Sequence, residues 1–338
     1  MADSIIPALL SLALPWFAGS ACVYALIRKT HRWNWFIVIG HGYLAGIFST
    51  TLLMRCLDVM GFELNYWLLA ALLVVLGSTF FLLQYKSGSN TTSNPGYVEL
   101  PVWQMAVILL VIAALALRYF TLAQELSIRP LYAWDAWMNW SPKAVVWFHW
   151  NELTKYVDPA QWLVQPPGAH HYALGNYNAS LYPPTVPLII LWGMLATGTA
   201  DSTFIYLPWI IAPFSLGLSM YGHLRLAGIS AVLASIACYM LLGLPYINTH
   251  TALAGYADLW LAASFGLSIF CLYEWQENRS KRYALLCLFY AAMCSQLKNP
   301  GIVLCLVILA VFLRTLLNLS SRAELIALLT LIFGTTVL

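Results

Sequence analysis

The stretch Thr185–Thr197, TVPLIILWGMLAT, decides how this chain of 338 residues is threaded. It is apolar throughout, yet its 13 residues make only about 20 Å of helix, against roughly 30 Å of bilayer hydrocarbon. If it crosses a membrane, Arg225, Arg279, Lys281, Arg282, Arg314 and Arg322 all lie outside and only Lys298 lies within. If it turns back, the six basic residues lie inside and Lys298 outside. The excess of Lys and Arg expected in cytoplasmic loops favours the second reading, a re-entrant helix.

The rest of the sequence makes a membrane setting unavoidable. Apolar residues make up 61% of the chain and charged residues 9%, and the mean hydropathy is +0.76, outside the range of ordinary soluble domains. The net charge of +3, from 16 basic and 13 acidic side chains, is too small a surplus to suggest nucleic-acid binding. Seven cysteines, at 22, 56, 238, 271, 287, 294 and 305, sit in or beside apolar runs without a CxxC pair. They read as buried thiols with neither disulfides nor a metal site. The N-terminus lacks the basic region of a secretory signal, so the first apolar run is expected to stay on the protein.

Counting apolar runs of membrane length predicts an all-α polytopic transmembrane bundle of about ten spans. Four precede residue 123, at Ile5–Ile27, Trp33–Met54, Asn65–Tyr85 and Val102–Leu122. Six follow the re-entrant segment, at Thr203–Tyr221, Ile229–Ile247, Asp258–Trp275, Tyr283–Leu297, Gly301–Leu317 and Ala323–Leu338. The basic loop Arg28, Lys29, His31, Arg32 places the N-terminus outside, and the polar Lys86–Gly96 becomes a flexible cytoplasmic loop. Three regions result: N-terminal transmembrane helices (1–122), one large external loop (123–184), and the re-entrant helix with the C-terminal spans (185–338). The last run reaches Leu338 with no polar stop, so a longer natural chain is expected.

The external loop holds six of the 15 tryptophans, too many for a mere linker. Its centre, Arg129–Trp150, sets Asp135 and Lys143 among seven aromatic residues. Ser141 followed by Pro142 predicts an N-cap and a short helix to about Thr154. Val146, Trp147, Trp150 and Leu153 on one side would lay that helix flat in the headgroup layer. Residues 164–184 read as turn-rich.

With this threading, the external face receives Asp135, Lys143, His170, His171, Asp258 and Lys298. Ionisable groups gathered at a membrane boundary read as a site, since each is costly there unless paired or used. Plainer readings stand beside each: an aromatic belt with Asp135 as a helix cap, Lys143 as a first-turn residue, solvated His170 and His171, Asp258 as an N-cap, and Lys298 snorkelling. Cations around carboxylates suit a lipid-linked sugar phosphate, the cations holding the phosphate while a carboxylate takes the proton of an attacking hydroxyl. No P-loop, GxGxxG, DxD or HExxH pattern is present.

The order of YAWDAW, LYPP, GYADL and LKN between Leu131 and Gly301 resembles the bacterial branch of the GT-C membrane glycosyltransferases. Its members are similar to the protein O-mannosyltransferases and the lipid A aminoarabinose transferase. The resemblance implies an inverting enzyme in the bacterial inner membrane, with its active site on the external, periplasmic face. It would use a polyprenyl-phosphate-linked sugar and a glycan, lipid or protein acceptor, with no cofactor beyond that donor; a divalent metal is left open. Asp135 falls on the catalytic base. Tyr182, Pro183 and Pro184 fall on the segment lining the site, Tyr256 and Asp258 on the second acidic position, and Lys298 and Asn299 on LKN. Donor binding is thereby expected of Lys143, His170, His171, Tyr182, Tyr256, Asp258, Lys298 and Asn299. Pro300 stands where relatives often carry glutamate, and the three spans before the loop-preceding one exceed the single one of the best-known members. The competing readings are a transporter or flippase of lipid-linked glycans and an O-antigen ligase or polymerase.

Overall fold

The computed structural model describes residues 2–30, 32–85, 100–128, 131, 133–166 and 168–317. Ala323–Leu338 and the loop Lys86–Gly96 lie outside the described residues, as does His31. The chain divides after Leu259 into two compact units.

The first unit is built from α1 (Ala2–Ile27), α2 (Trp35–Val59), α3 (Tyr66–Tyr85), α4 (Val102–Ile128), α5 (Ser141–Trp150), α6 (Pro159–Leu163), α7 (Thr185–Thr197), α8 (Pro208–Leu226), α9 (Ala231–Leu242) and α10 (Pro245–Ala252). The described strands are β1 (Lys155–Tyr156) and β2 (His171–Tyr172), a parallel pair of two residues each. Five segments are long and apolar enough to cross a membrane: Ile5–Ile27, Trp35–Val59, Tyr66–Leu83, Val102–Ile128 and Thr203–Leu226. A sixth results if α9 and α10, bent by 55° at Gly243–Leu244, cross as one. The unbroken span expected at Ile229–Ile247 is therefore interrupted, because Pro245 cannot supply the amide hydrogen that would continue α9.

TVPLIILWGMLAT becomes α7, the most enclosed helix of the unit. Twelve of its 13 residues are buried, packed by α1, α2, α3 and α5. A helix that is apolar all round finds its place in such a core. Trp192 meets no water there, so its indole Nε1 donates to Ser11 O at 2.7 Å, and its ring lies 5.0 Å from Tyr66.

Two sets of contacts mark opposite ends of the bundle. At one end, Arg32 donates to Leu226 O at 2.7 Å and Asn34 to Gly222 O at 2.8 Å, tying the α1–α2 loop to the end of α8. At the other, Leu64 N donates to Asn151 O and Leu153 N to Asp58 Oδ1, both at 2.7 Å. These tie the α2–α3 turn to the end of α5. Residues 198–203, which follow α7, line a cleft with α5 itself. The chain on both sides of α7 is thus held beside α5, through Ser180 and Tyr182 before it and residues 198–203 after it.

The closest helix pair is α1 with α2. Backbones approach at Gly42 and Gly46, where a Cβ would strike Ser20 and the carbonyl of Pro15; small residues four apart permit this. Between α2 and α8, the buried His41 and His223 meet Nε2 to Nε2 at 3.0 Å. One ring therefore donates and the other accepts, which requires opposite tautomers of the neutral rings or one charged ring.

The second unit contains most of α11 (Asp258–Asn278), with α12 (Lys281–Leu297) and α13 (Gly301–Leu316). Trp275 stacks on Phe312 at 4.1 Å, and Ser268 Oγ donates to Cys287 O at 2.8 Å. These helices fall where spans are expected, but α12 and α13 have 17 and 16 residues. The charges of Asp258, Glu274 and Glu277 at the ends of α11 lower its hydropathy.

Candidate functional site

The WDAW segment enters the first unit as helix from the start. Asp135 has helical φ −59° and ψ −35°, and its side chain caps no backbone amide, which removes the helix-cap reading. Ala136–Trp140 form a π-helical turn, a widened geometry frequent at functional sites. Ser141 is consequently inside a continuous helix, and the N-cap expected of it does not form; its Oγ lies 3.3 Å from Tyr206 Oη instead.

This turn aligns a polar relay. Asn139 Nδ2 donates to Asp135 Oδ1 at 2.6 Å, and Asn176 Nδ2 donates to Asn139 Oδ1 at 2.8 Å. Asn139 is buried while Asp135 is half-buried, so the relay holds one carboxylate oxygen from the protein side. On the other side, Trp134 and Trp137 meet edge to face at 4.9 Å. Both are exposed, at 60% and 43%, as expected of tryptophans that meet an interface. Asn139 and Asn176 escape the sequence reading because single asparagines carry no pattern; the legible signal was the i, i+4 spacing of Asp135 and Asn139.

Two more of the motifs close around this turn. Tyr182 stacks on Trp140 with centroids 5.2 Å apart and planes 23° apart. Gly255, at φ +98°, presses its backbone on Ala136, where any Cβ would collide. Tyr256 O accepts from Trp209 Nε1 at 2.9 Å, and its ring meets His250 at 5.6 Å; Asp258, half-buried, opens α11.

Lys143 lies on the inner side of α5, 2% exposed, and Nζ donates to Ser180 O at 3.1 Å and Tyr182 O at 2.9 Å. Burial pulls its ammonium down to about 8 from an ordinary 10.5. Its place is under the LYPP segment, clamping it to α5. Tyr156 donates to the Lys143 carbonyl at 3.1 Å, and burial pushes its phenol up. Trp147, expected in the headgroups, is buried with Nε1 on Thr154 O at 3.1 Å; α5 packs on α7 rather than lying flat.

His170 and His171 sit elsewhere. His170 packs on Trp150 at 4.1 Å and pairs with Glu152 at 3.0 Å, about 20 Å of helix from Asp135, and His171 belongs to β2. Lys298 and Asn299 belong to the second unit, in the turn between α12 and α13, where Gly301 N donates to Lys298 O at 2.8 Å and Ile302 N to Asn299 O at 3.0 Å.

A cleft of about 670 Å³ opens between α5 and residues 198–206, with Leu131 and Ser141 in its lining but none of Asp135, Asn139 or Asn176. The stripe Ser141, Val145, Phe148 and His149 forms one wall, and Asp201 and Tyr206 stand opposite. Among the described residues, no three His, Cys, Asp or Glu side chains cluster closely enough to hold a metal.

Comparison with protein-family models, curated proteins and solved structures finds no match for this chain. The GT-C resemblance therefore rests on its motifs.

Proposed function

We propose that this is an inverting membrane glycosyltransferase that moves a sugar from a polyprenyl-phosphate donor to a cell-envelope acceptor at the external face of a bacterial inner membrane. The observation that carries the reading is the meeting of three motifs, distant in sequence, at one π-helical turn beside Asp135. Helices long enough to span a lipid bilayer support the setting. The ten-span arrangement, which counts α11, α12, α13 and the last apolar run, belongs to this proposal.

In this reading Asp135 takes the proton of the acceptor hydroxyl as its oxygen bonds to the anomeric carbon. The bond from that carbon to the phosphate oxygen breaks, and polyprenyl phosphate leaves with the electron pair. Asn139 and Asn176 aim the carboxylate, Lys143 holds Tyr182 against Trp140, and the 670 Å³ cleft offers room for an acceptor. A positioned base contributes about a hundredfold to ten-thousandfold in rate. Asp135→Asn keeps an oxygen for Asn139 and should lose that much transfer of labelled sugar from a polyprenyl-lipid extract, at matched membrane expression. Retained transfer would remove Asp135 as the base.

One observation favours a second reading. The break between α9 and α10 is of the kind found at transporter sites. Movement of a lipid-linked glycan across vesicles without transfer would favour that reading.

A further inference from the structure

The break between α9 and α10 faces an arginine that follows the long apolar run Ala106–Leu117 of α4. Arg118 stands ten residues before the end of α4, whose surface exposes Leu109, Leu110, Ile112, Leu117 and Phe120. A guanidinium at such a depth is costly unless it is paired. Its Nε donates to Asn248 Oδ1 at 3.0 Å, and Asn248 Nδ2 in turn donates to Leu244 O at 2.9 Å, which orients the amide oxygen toward the arginine. The Nε bond is the guanidinium's hydrogen bond within the described residues, while the side chain is exposed and lines a cleft of about 420 Å³. Guanidinium forks of this kind match phosphate oxygens.

The same cleft is lined by Leu122 and Glu125, at i+4 and i+7 from Arg118 on one face of α4, and by Gly243 and Pro245 at the break. Glu125 is three residues from the end of α4 and Arg118 ten, so along the helix the cation lies about 10 Å deeper than the carboxylate. A zwitterionic phospholipid carries its charges in the complementary order: phosphate next to the glycerol and acyl chains, ammonium beyond it toward water.

We infer that the cleft between α4 and the α9–α10 break binds the head of a phosphatidylethanolamine-type lipid, its phosphate on Arg118 and its ammonium toward Glu125. The acyl chains run down the apolar face of α4. The assignment does not depend on the catalytic reading.

The test uses the full-length protein in mild detergent, titrated with short-chain phosphatidylethanolamine, phosphatidylglycerol, diacylglycerol of the same chains, and inorganic phosphate, with bound species read by native mass spectrometry. Phosphatidylethanolamine should bind best. Arg118→Gln should weaken it on the order of ten- to a hundredfold, the range for a lost charge-assisted contact. Asn248→Asp, nearly isosteric, should do the same by giving the guanidinium a carboxylate partner, and it keeps the test open if Arg118→Gln misfolds. Glu125→Gln should erase the preference over phosphatidylglycerol without weakening phosphatidylglycerol itself. Unchanged binding in Arg118→Gln and Asn248→Asp, or diacylglycerol binding as well as phosphatidylethanolamine, would overturn the site. Inorganic phosphate competing as well as the lipids would overturn the lipid as its source, and a preference that survives Glu125→Gln would overturn the head orientation.

Discussion

Lys143 holds its charge where water does not reach, and the two carbonyls it serves belong to the segment that ends in Tyr182. Its folded value of about 8 lies below the ordinary 10.5, so between those values the unfolded chain binds more protons than the folded one. Stability contributed through this residue therefore rises by on the order of 3 kcal/mol as pH increases from about 8 to 10.5, and is level below and above that window. The melting temperature of the wild type relative to Lys143→Met should climb across that window in detergent. A flat difference would show that the ammonium is not the buried group. The sequence signalled that Lys143 belongs with the aromatic cluster, but its partners are backbone carbonyls some forty residues later, and backbone acceptors leave no trace in residue types. His170 and His171 show the opposite failure: their chemistry was legible, their distance from Asp135 was not.

At the scale of elements, α1 and α2 depend on backbone contact more than on side-chain volume. Gly46→Val forces a branched side chain against the Pro15 carbonyl and should destabilise the protein by about 1–3 kcal/mol or more, the usual penalty of overpacking. Guanidinium-free denaturation in mixed micelles, following Trp16 and its edge contact with Tyr43, measures it; a wild-type midpoint would show that the helices can part without loss. The spacing of Gly42 and Gly46 was visible in HGYLAG, whereas the span boundaries nearby came from apolar length alone. Length and hydropathy place α1 to α4 within a few residues because a single strong term governs them. The π-helical turn at Ala136–Trp140 depends on tertiary partners, which periodicity does not encode, whereas the break at Gly243–Leu244 is legible in Pro245 and is passed over by counting apolar length alone.

For the whole first unit, the re-entrant reading of α7 belongs to the proposal, and it requires the chain to leave and return at one end of the bundle. Cysteines introduced at Asn178 and Ala227, in a background without the native seven, should be labelled from opposite sides of sealed vesicles, because α8 alone separates them. Labelling of both from one side would mean that α7 crosses. Composition foretold a helical membrane protein; the re-entrant course of α7 rests on the positive-inside bias alone, and the labelling decides it. Its burial among α1, α2, α3 and α5 could not be read from TVPLIILWGMLAT, since an apolar helix suits lipid and protein core equally well.

The bond from Trp192 to Ser11 joins residues 181 positions apart, and this has a consequence for how the chain is made. A ribosome delivers α1, α2 and α3 long before α7 exists, so the slot that α7 fills must stand occupied by lipid until more than a hundred further residues have emerged. The final closure of the unit is therefore a displacement of lipid by a late peptide, and its rate should follow bilayer composition rather than chain elongation.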